Sequence, residues 1–329
     1  MTATSGQADV LAAGPDAAAL YALGRDPEES ARLIRQSDEL RPQGAELLSR
    51  IGLRPGQSAI DVGCGPRGIL DLLAAAVSPG GRVVGLDADR THTELARRHV
   101  SERGLAGVEV VTADARRTGL QAGSFDVVHA RTLLVTIPDP AEVMAEMVRL
   151  ARPGGWVASQ EPDTEHALCY PPLPAWDRLR EIFTVAHGRL GADPGIGRRL
   201  PELLRQAGLA GIEVTVHAPA YPAGHSRRTL LPGLVRSLRP AILQYGLSGE
   251  RELAELDQAV RAHLADPRTL MMPHLLVVTR ARKPAPWVHV RFVGDWRVTP
   301  ARSRSGAFNL VVTLHSRRPL WRADRPSAR

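Results

Sequence analysis

Short apolar segments alternate with helical segments between residues 58 and 161, and this alternation constrains the fold more than any other feature. The strand-like segments read SAIDV, RVVGLD, VEVVTAD, FDVVHA and WVASQE, and the helical ones ILDLLAAAV, TELARRHVSERG and PAEVMAEMVRLARP. Such spacing implies parallel strands joined by right-handed crossovers. With two later strands, GIEVTVH and HLLVVTRAR, the sequence predicts an α/β fold with a doubly wound, mostly parallel sheet of seven strands.

The regular alternation ends after Glu161. A Pro-rich stretch, YPPLPAW, is followed by two predicted helices, DRLREIFTVAHGRL and GRRLPELLRQAG, and by further helical sequence from Thr229 to Leu264. Helices inserted between late strands cannot extend the sheet. We therefore expect them to lie over the carboxyl ends of the early strands, where ligands bind in open α/β sheets.

The turn after the first strand is rich in glycine. Residues 59 to 68 read AIDVGCGPRG, which places Gly63, Gly65 and Gly68 at the spacing G-x-G-x-x-G of dinucleotide-binding sites. Such sites hold a pyrophosphate at the N-terminus of the following helix. Asp61 argues against that use, because a carboxylate at the end of the strand suits hydroxyl and ammonium groups better than phosphates.

Further residues carry a resemblance to a known family. Asp61 and the glycines resemble motif I of the class I S-adenosylmethionine-dependent methyltransferases, and SFDVVHAR and LARPGGWV resemble their fourth strand and the Pro-Gly-Gly turn before the fifth. The N-terminal stretch YALGRDPEESARLIRQ resembles relatives of the ubiquinone and menaquinone biosynthesis methyltransferases. The resemblance covers about residues 20 to 283 and implies the Rossmann-like methyltransferase fold with helical lid insertions. It departs at Arg67, where the family has the third glycine of the motif.

The resemblance implies S-adenosylmethionine as cofactor and a set of residues that bind it. Asp87, followed by Ala88, matches the carboxylate that binds the ribose hydroxyls, and Asp114 with Ala115 matches the group that binds the adenine amino group. Arg131 either reaches the methionine carboxylate or forms a surface ion pair. The predicted cofactor-binding residues are Tyr21, Gln36, Asp61, Gly63, Cys64, Gly65, Asp87, Ala88, Asp114, Ala115 and Arg131.

Other reactive side chains give weaker signals. An acceptor hydroxyl needs a base, and we predict His166 for that role, with an exposed loop histidine as the alternative. We expect His92 and His99, seven residues apart on one helix face, to be exposed to solvent. Cys64 fits a small residue that fills the turn better than a nucleophile. The sequence has no metal-binding spacing, and we predict no metal.

The net charge of +7 is concentrated at one end of the chain. Residues 284–329 contain nine arginines and two aspartates and therefore carry the whole net charge of +7. The remaining residues of the chain sum to zero net charge. We predict a poorly ordered basic tail at 284–329, in which WVHVRFV and FNLVVTL are two short strands by their alternation. A neutral body argues against a nucleic-acid substrate. With two cysteines and no long apolar run or signal peptide, we expect a cytoplasmic protein without membrane contact.

These observations predict a domain organisation and a function. Residues 1–50 form an N-terminal helical segment that closes the cofactor site, 51–162 the S-adenosylmethionine-binding core, and 163–283 the late strands with the lid helices. The resemblance implies methyl transfer, with oxygen favoured as acceptor atom. The apolar lid predicts that the acceptor is a small, largely apolar molecule, a secondary metabolite or quinone-like compound.

Three alternatives stay open. The first is an NAD(P)-dependent oxidoreductase that uses the glycine spacing, and the second is a nucleic-acid methyltransferase guided by the tail. The third is a member that binds the cofactor without methyl transfer. The acceptor molecule and the formation of a homodimer are not determined by the sequence.

Overall fold

The computed structural model describes residues 27–285, 298–302 and 308–312. A seven-stranded sheet lies at the centre of residues 27–285. Its strands are β1 (Ser58–Val62), β2 (Arg82–Asp87), β3 (Val108–Thr112), β4 (Phe125–Arg131), β5 (Ala151–Asp163), β7 (Ala210–His217) and β9 (Leu275–Arg282). Their order across the sheet is β3-β2-β1-β4-β5-β9-β7. β1 to β5 are parallel, whereas β9 runs antiparallel to both β5 and β7. The predicted doubly wound, mostly parallel sheet of seven strands is confirmed.

Helices cover both faces of this sheet. On one face lie α2 (Arg41–Ile51), α3 (Leu70–Val77) and α4 (Arg90–Glu102), which pack on side chains such as Ala59 and Val127. On the other face lie α5 (Pro140–Leu150) and α7 (Ile196–Gln206), which pack on side chains such as Ile60 and Val157. Since both faces are covered, the central strands are buried throughout and read as continuous apolar runs.

The lid differs from the prediction in one helix. It contains α6 (Pro174–Arg189), α8 (Leu230–Ser237), α9 (Arg239–Gln244) and α10 (Glu250–Ala265), around a separate apolar core that includes Trp176, Phe183 and Ile242. The expectation that α7 joins this lid is wrong. Ile196, Leu200 and Leu204 repeat on one face of α7 and are buried in the core of the sheet.

Several details were not anticipated from the sequence. A small antiparallel ladder joins β6 (Leu168–Tyr170) to β8 (Leu270–Met272), between segments that are 100 residues apart. β5 begins at Ala151, so Pro153, Gly154 and Gly155 lie inside this strand and not in a turn before it. The register between β4 and β5 is irregular at this point. Within the described residues, no helix is long and apolar enough to cross a bilayer.

The basic tail is described in two pieces. β10 (Val298–Arg302) and β11 (Phe308–Val312) pair as an antiparallel ladder. The predicted strand FNLVVTL is therefore confirmed over its first five residues. The predicted strand WVHVRFV lies outside the described residues.

Candidate functional site

A cavity opens at the carboxyl ends of β1, β2 and β4. It has a volume of about 1070 Å³, its open mouth included, and we call it the strand-end cavity. Helix α1 (Pro27–Glu39) contributes part of its wall through Leu33, Gln36 and Ser37. Among the predicted cofactor residues, it is lined by Gln36, Asp61, Gly63, Cys64, Gly65, Asp87, Ala88, Asp114, Ala115 and Arg131. Tyr21 lies outside the described residues.

The glycine turn holds backbone conformations that other residues rarely adopt. Gly63, Gly65 and Gly68 have φ angles of +70°, +58° and +55°. A Cβ on Gly68 would lie 2.1 Å from Oδ2 of Asp61, so no other residue fits there without displacing that carboxylate. Arg67 forms an ion pair with Asp38 in α1. The departure from the family motif at Arg67 thus leaves the turn intact, because Gly68 supplies the positive φ angle.

Both carboxylate oxygens of Asp61 form hydrogen bonds with other residues of the protein. Oδ2 accepts a hydrogen bond from the backbone N–H of Ile69 at 2.9 Å, and Oδ1 lies 2.8 Å from Nδ1 of His129. Nε2 of His129 lies 3.1 Å from Oε1 of Gln160, and all three side chains are buried. Asp61 therefore anchors the loop that leads into α3 as well as lining the cavity.

Cys64 behaves as the sequence predicts. The side chain is buried beneath the turn, and burial together with the nearby Asp87 and Asp61 carboxylates raises the pKa of its thiol well above the ordinary value. A thiol that stays protonated is a poor nucleophile, so Cys64 fills space in the turn.

Asp87 is the last residue of β2 and lines the cavity, and hydrogen bonds from the backbone fix its carboxylate. Oδ2 accepts a hydrogen bond from the backbone N–H of Gly65 at 2.8 Å, and Oδ1 accepts one from that of Asp89 at 2.9 Å. These bonds fix the carboxylate at the rim of the glycine turn. This is the position from which an acidic side chain can accept hydrogen bonds from neighbouring hydroxyl groups of a ligand.

The expectation that His92 is exposed to solvent is wrong. His92 is buried in the first turn of α4, lines the strand-end cavity, and has Nδ1 3.7 Å from Oδ1 of Asp87. Burial lowers the pKa of His92, but the hydrogen bond and the charge of Asp87 outweigh it and raise that pKa above its ordinary value. Asp89 caps α4 by accepting a hydrogen bond from the backbone N–H of His92.

Asp114 follows β3 and is paired with Arg116. Nη2 of Arg116 donates to Oδ2 at 2.8 Å, and Nε lies 3.1 Å from both carboxylate oxygens. Burial raises the pKa of Asp114, but the bonds from Arg116 outweigh it and lower that pKa below the usual range. Asp114 is therefore ionised, and a ligand that binds it shares it with Arg116.

Arg131 at the end of β4 is buried, which excludes the alternative of a surface ion pair. Its Nη1 donates to the carbonyl of Leu40 at 3.3 Å, and its Nη2 to the carbonyl of Gly68 at 3.2 Å. Burial lowers the pKa of Arg131 to about 10, which leaves the guanidinium charged at neutral pH. Arg131 thus presents a cation in the wall of the strand-end cavity.

His166 does not line this cavity. It lies in a short 3-10 turn after β5, is largely exposed, and has Nδ1 3.0 Å from Oδ2 of Asp163. Arg198 forms ion pairs with Asp163 and Glu165 beside it. The structure thus places His166 in an ionic cluster at the surface and not beside the predicted cofactor residues.

A second cavity adjoins the first beneath the lid helices. This lid cavity has a volume of about 600 Å³, its mouth included, and shares Leu33, Gln36, Thr132 and Thr136 with the strand-end cavity. Its other walls are Arg32, Leu40, Val135, Pro162, Thr164, Phe183, His187, Arg227, Leu230, Leu234 and His274. We did not identify His187, Arg227 or His274 from the sequence. Each lies in a different segment, and no spacing links them.

Gln36 connects α1 to the loop after β4. Its Nε2 donates to Oγ1 of Thr132 at 2.9 Å, and its Oε1 accepts from Nη1 of Arg32 at 2.9 Å. Since Gln36 and Thr132 both line the two cavities, this bond lies on the wall where the cavities meet.

The strand-end cavity fits the cofactor implied by the motifs. A Cβ added to Gly65 would meet no atom within 4 Å, so the turn leaves open space where a ligand can approach the backbone. Asp87 offers a carboxylate to ribose hydroxyls, and Arg131 offers a cation to a carboxylate. Within the described residues, no cluster of His, Cys, Asp and Glu could hold a metal ion.

Comparisons with known proteins agree with this geometry. A family model described as a methyltransferase domain matches residues 60–159. The chain is similar to trans-aconitate 2-methyltransferase of Methylobacterium radiotolerans, with 30% identity over 75% of this chain and 95% of that protein. Among solved structures, it resembles a protein of Bacillus halodurans C-125 with a TM-score of 0.52 and 17% identity, over 73% of this chain and 98% of that one.

Other relatives match over a shorter part of their length. The chain spans about half the length of two curated relatives, 53% and 44% of them. The second is nocamycin O-methyltransferase of Saccharothrix syringae, 38% identical over 37% of this chain. The extended similarity, the matched domain and the glycine turn lead to one conclusion: the chain belongs to the class I S-adenosylmethionine-dependent methyltransferases.

Proposed function

We propose that the protein transfers the methyl group of S-adenosylmethionine to an oxygen atom of a small, largely apolar acceptor. The observation that carries this proposal is the junction of the two cavities, which share four wall residues. A cofactor in the strand-end cavity and an acceptor in the lid cavity would meet there. Most of the lining surface of the lid cavity is apolar, which favours an apolar acceptor.

Different residues are proposed to bind different parts of the cofactor. Asp87 is proposed to hold the ribose hydroxyls, Asp114 and the backbone of Ala115 the adenine amino group, and Arg131 the methionine carboxylate. The remaining proposed contacts are Tyr21, Gln36, Asp61, Gly63, Cys64, Gly65 and Ala88. When bound, the cofactor supplies a methyl group already activated by the sulfonium, so the protein has mainly to align the acceptor and exclude water.

The proposed domain organisation follows from the same arrangement. The segment 1–50 closes the site through α1, whose Leu33 and Gln36 line both cavities. The core 51–162 binds the cofactor, and the lid helices within 163–283 cover the acceptor. A homodimer remains part of the proposal, and the exposed Val214 and Val216 on the edge strand β7 are the surface that we assign to it.

Relatives support a small molecule as acceptor. The names of similar proteins refer to nocamycin, trans-aconitate and demethylmenaquinone, and each of these is a small molecule. The name of the nocamycin relative includes O-methylation, as does that of a further relative, a ubiquinone biosynthesis O-methyltransferase. Oxygen is therefore the proposed acceptor atom.

The test is calorimetric binding followed by turnover. S-adenosylmethionine and S-adenosylhomocysteine are titrated into the full chain beside NADH and NADPH. We expect micromolar binding of the first pair only. Turnover is then followed by mass spectrometry with S-adenosylmethionine that carries a deuterated methyl group, and the label is expected on an acceptor oxygen. Binding of a nicotinamide dinucleotide in place of the first pair would contradict the proposal, as would cofactor binding without label transfer to any acceptor in a broad panel.

A further inference from the structure

The lid cavity contains a buried cation with an unused hydrogen-bond donor. Arg227 is 4% exposed and lies in a 3-10 turn before α8. Its Nε bonds the carboxylate of Glu39, which also accepts a hydrogen bond from the hydroxyl of Ser226 at 2.6 Å. Its Nη2 is buried and has no hydrogen-bond partner among the described residues. An unpaired buried donor on a cation is costly, so a ligand that accepts from Nη2 would gain the free energy of that bond.

The remaining polar walls of this cavity also favour an anion. Arg227 lines it together with Arg32, which forms an ion pair with Glu29. Among its described lining residues there is no aspartate or glutamate. His187 and His274 are buried there, and both nitrogens of His187 and Nδ1 of His274 lack hydrogen-bond partners in the described part of the chain. A neutral imidazole has one N–H group, which can donate to a negatively charged oxygen.

The two histidines are poor bases. Burial lowers the pKa of His187 to about 4, and the nearby charge of Asp193, which raises the pKa, has a smaller effect. Burial, with a further contribution from Arg227, lowers the pKa of His274 to about 3, against an opposing effect of Asp163. A group with such a pKa removes a proton from an ordinary alcohol inefficiently at neutral pH. An acceptor that arrives already ionised needs no such base.

We propose that the acceptor is an apolar molecule with an acidic oxygen, a carboxylate or the anion of an enol or phenol, and that Arg227 binds this oxygen. The inference rests on the proposed function and specifies its substrate class. A lone pair of the anionic oxygen forms the new O–CH₃ bond as the methyl–sulfur bond breaks, and the electron pair of that bond stays on sulfur. The charges of the anion and of the sulfonium cancel, and no proton is transferred.

The experiment compares anionic probes with neutral partners of similar shape. The full chain is first saturated with S-adenosylhomocysteine and then titrated at pH 7.5 in two arms. One arm compares 2-naphthoate with 2-naphthamide, and the other compares 4-hydroxycoumarin, which is ionised at this pH, with 4-methoxycoumarin. We expect at least one anion to bind about tenfold more tightly than its neutral partner, as a charged hydrogen bond allows. The arm that shows the preference identifies the carboxylate or the enolate.

The variants identify Arg227 as the source of the preference. Arg227→Gln should abolish the preference and leave binding of the neutral probe unchanged, whereas Arg236→Gln, at an exposed arginine of α8, should retain it. If Arg227→Gln unfolds because Glu39 loses its partner, the double variant E39Q/R227Q removes both charges and serves in its place.

The inference is overturned if no anion binds better than its neutral partner in either arm, or if a folded Arg227 variant keeps the preference. The first titration separates this result from failure of the proposed function. A chain that binds S-adenosylhomocysteine but shows no preference for anions contradicts only the substrate class.

Discussion

The strand-end cavity and the lid cavity share a wall but are assembled from the chain in different ways. The strand-end cavity takes most of its lining from short segments that directly follow β1, β2, β3 and β4, with a contribution from α1. The lid cavity takes its lining from α1, from the loop after β4, from α6 and α8, and from His274 just before β9. The first follows from local sequence at strand ends, whereas the second depends on how distant helices pack.

The two cavities also differ in charge. The strand-end cavity is lined by four aspartates and two arginines: Asp61, Asp87, Asp89, Asp114, Arg116 and Arg131. The described lining of the lid cavity contains arginines and histidines but no carboxylate. The proposed ligands follow this contrast. A cofactor with hydroxyl, amino and ammonium groups is proposed for the first cavity, with Arg131 facing its carboxylate, and an apolar molecule with an acidic oxygen for the second.

The largest effect is expected from removing the carboxylate at the end of β2. Asp87→Ala should weaken binding of S-adenosylhomocysteine by about 4 kcal/mol, close to a thousandfold, because two hydrogen bonds to a charged group are lost. Isothermal calorimetry measures this change. Asp257→Ala, at an exposed aspartate on α10 that pairs with Arg261, is the control and should bind normally. Unchanged affinity in Asp87→Ala would remove Asp87 from the cofactor site.

A second substitution tests the glycine turn itself. Gly68→Ala should lower the free energy of unfolding by about 3 kcal/mol, because it combines an unfavourable positive φ angle with a contact 2.1 Å from Asp61. Gly208→Ala is a matched control, since Gly208 has a φ angle of +77° but no atom within 4 Å of an added Cβ. It should cost about 1 kcal/mol. Urea denaturation measures both, and equal losses would mean that Asp61 does not require Gly68.

A third prediction concerns the pH dependence of the lid cavity. His187 has a pKa of about 4 in the folded protein, and an unfolded histidine has one near 6.5. As the pH falls below 6.5, the unfolded chain takes up a proton that folded His187 does not bind. Its contribution to stability is therefore complete above pH 6.5 and is lost progressively down to about pH 4.

Replacing His187 isolates this contribution. His187→Leu should make the loss of stability between pH 7 and pH 5 about 2 kcal/mol smaller than in the wild type. Leucine can keep an apolar contact with Phe183, on which the histidine ring now stacks. Urea denaturation at the two pH values gives the comparison, and His217→Leu on β7 is the control. The same pH dependence in the wild type and in His187→Leu would show that folding does not lower the pKa of His187.

The smallest effect is expected at His166, where the sequence predicts a general base. Because this side chain lies in a surface ionic cluster outside both cavities, His166→Ala should change kcat/KM by less than about twofold. Steady-state kinetics with an identified acceptor measures it. A loss of about a hundredfold, with a changed pH profile, would instead restore the prediction that His166 is the base.

Much of the strand-end cavity was predictable because local rules fix it. The alternation of strands and helices sets a parallel sheet, and the ends of parallel strands meet at one edge. Asp87 at the end of β2 and Asp114 after β3 were therefore expected at this edge, and the resemblance to the family supplied their predicted roles in cofactor binding. His92 could not, because its exposure depends on the cap at Asp89 and on the attraction of Asp87, which the helix pattern alone does not reveal.

The strand-helix alternation, the glycine turn and the acidic strand ends could be predicted from sequence, because each depends on residues close together in the chain. Packing on the sheet by α7, burial of Arg131, and the meeting of Arg227, His187 and His274 in one cavity became visible in the folded molecule. Burial and pairing of a side chain depend on contacts between distant segments, and local propensities do not specify those contacts.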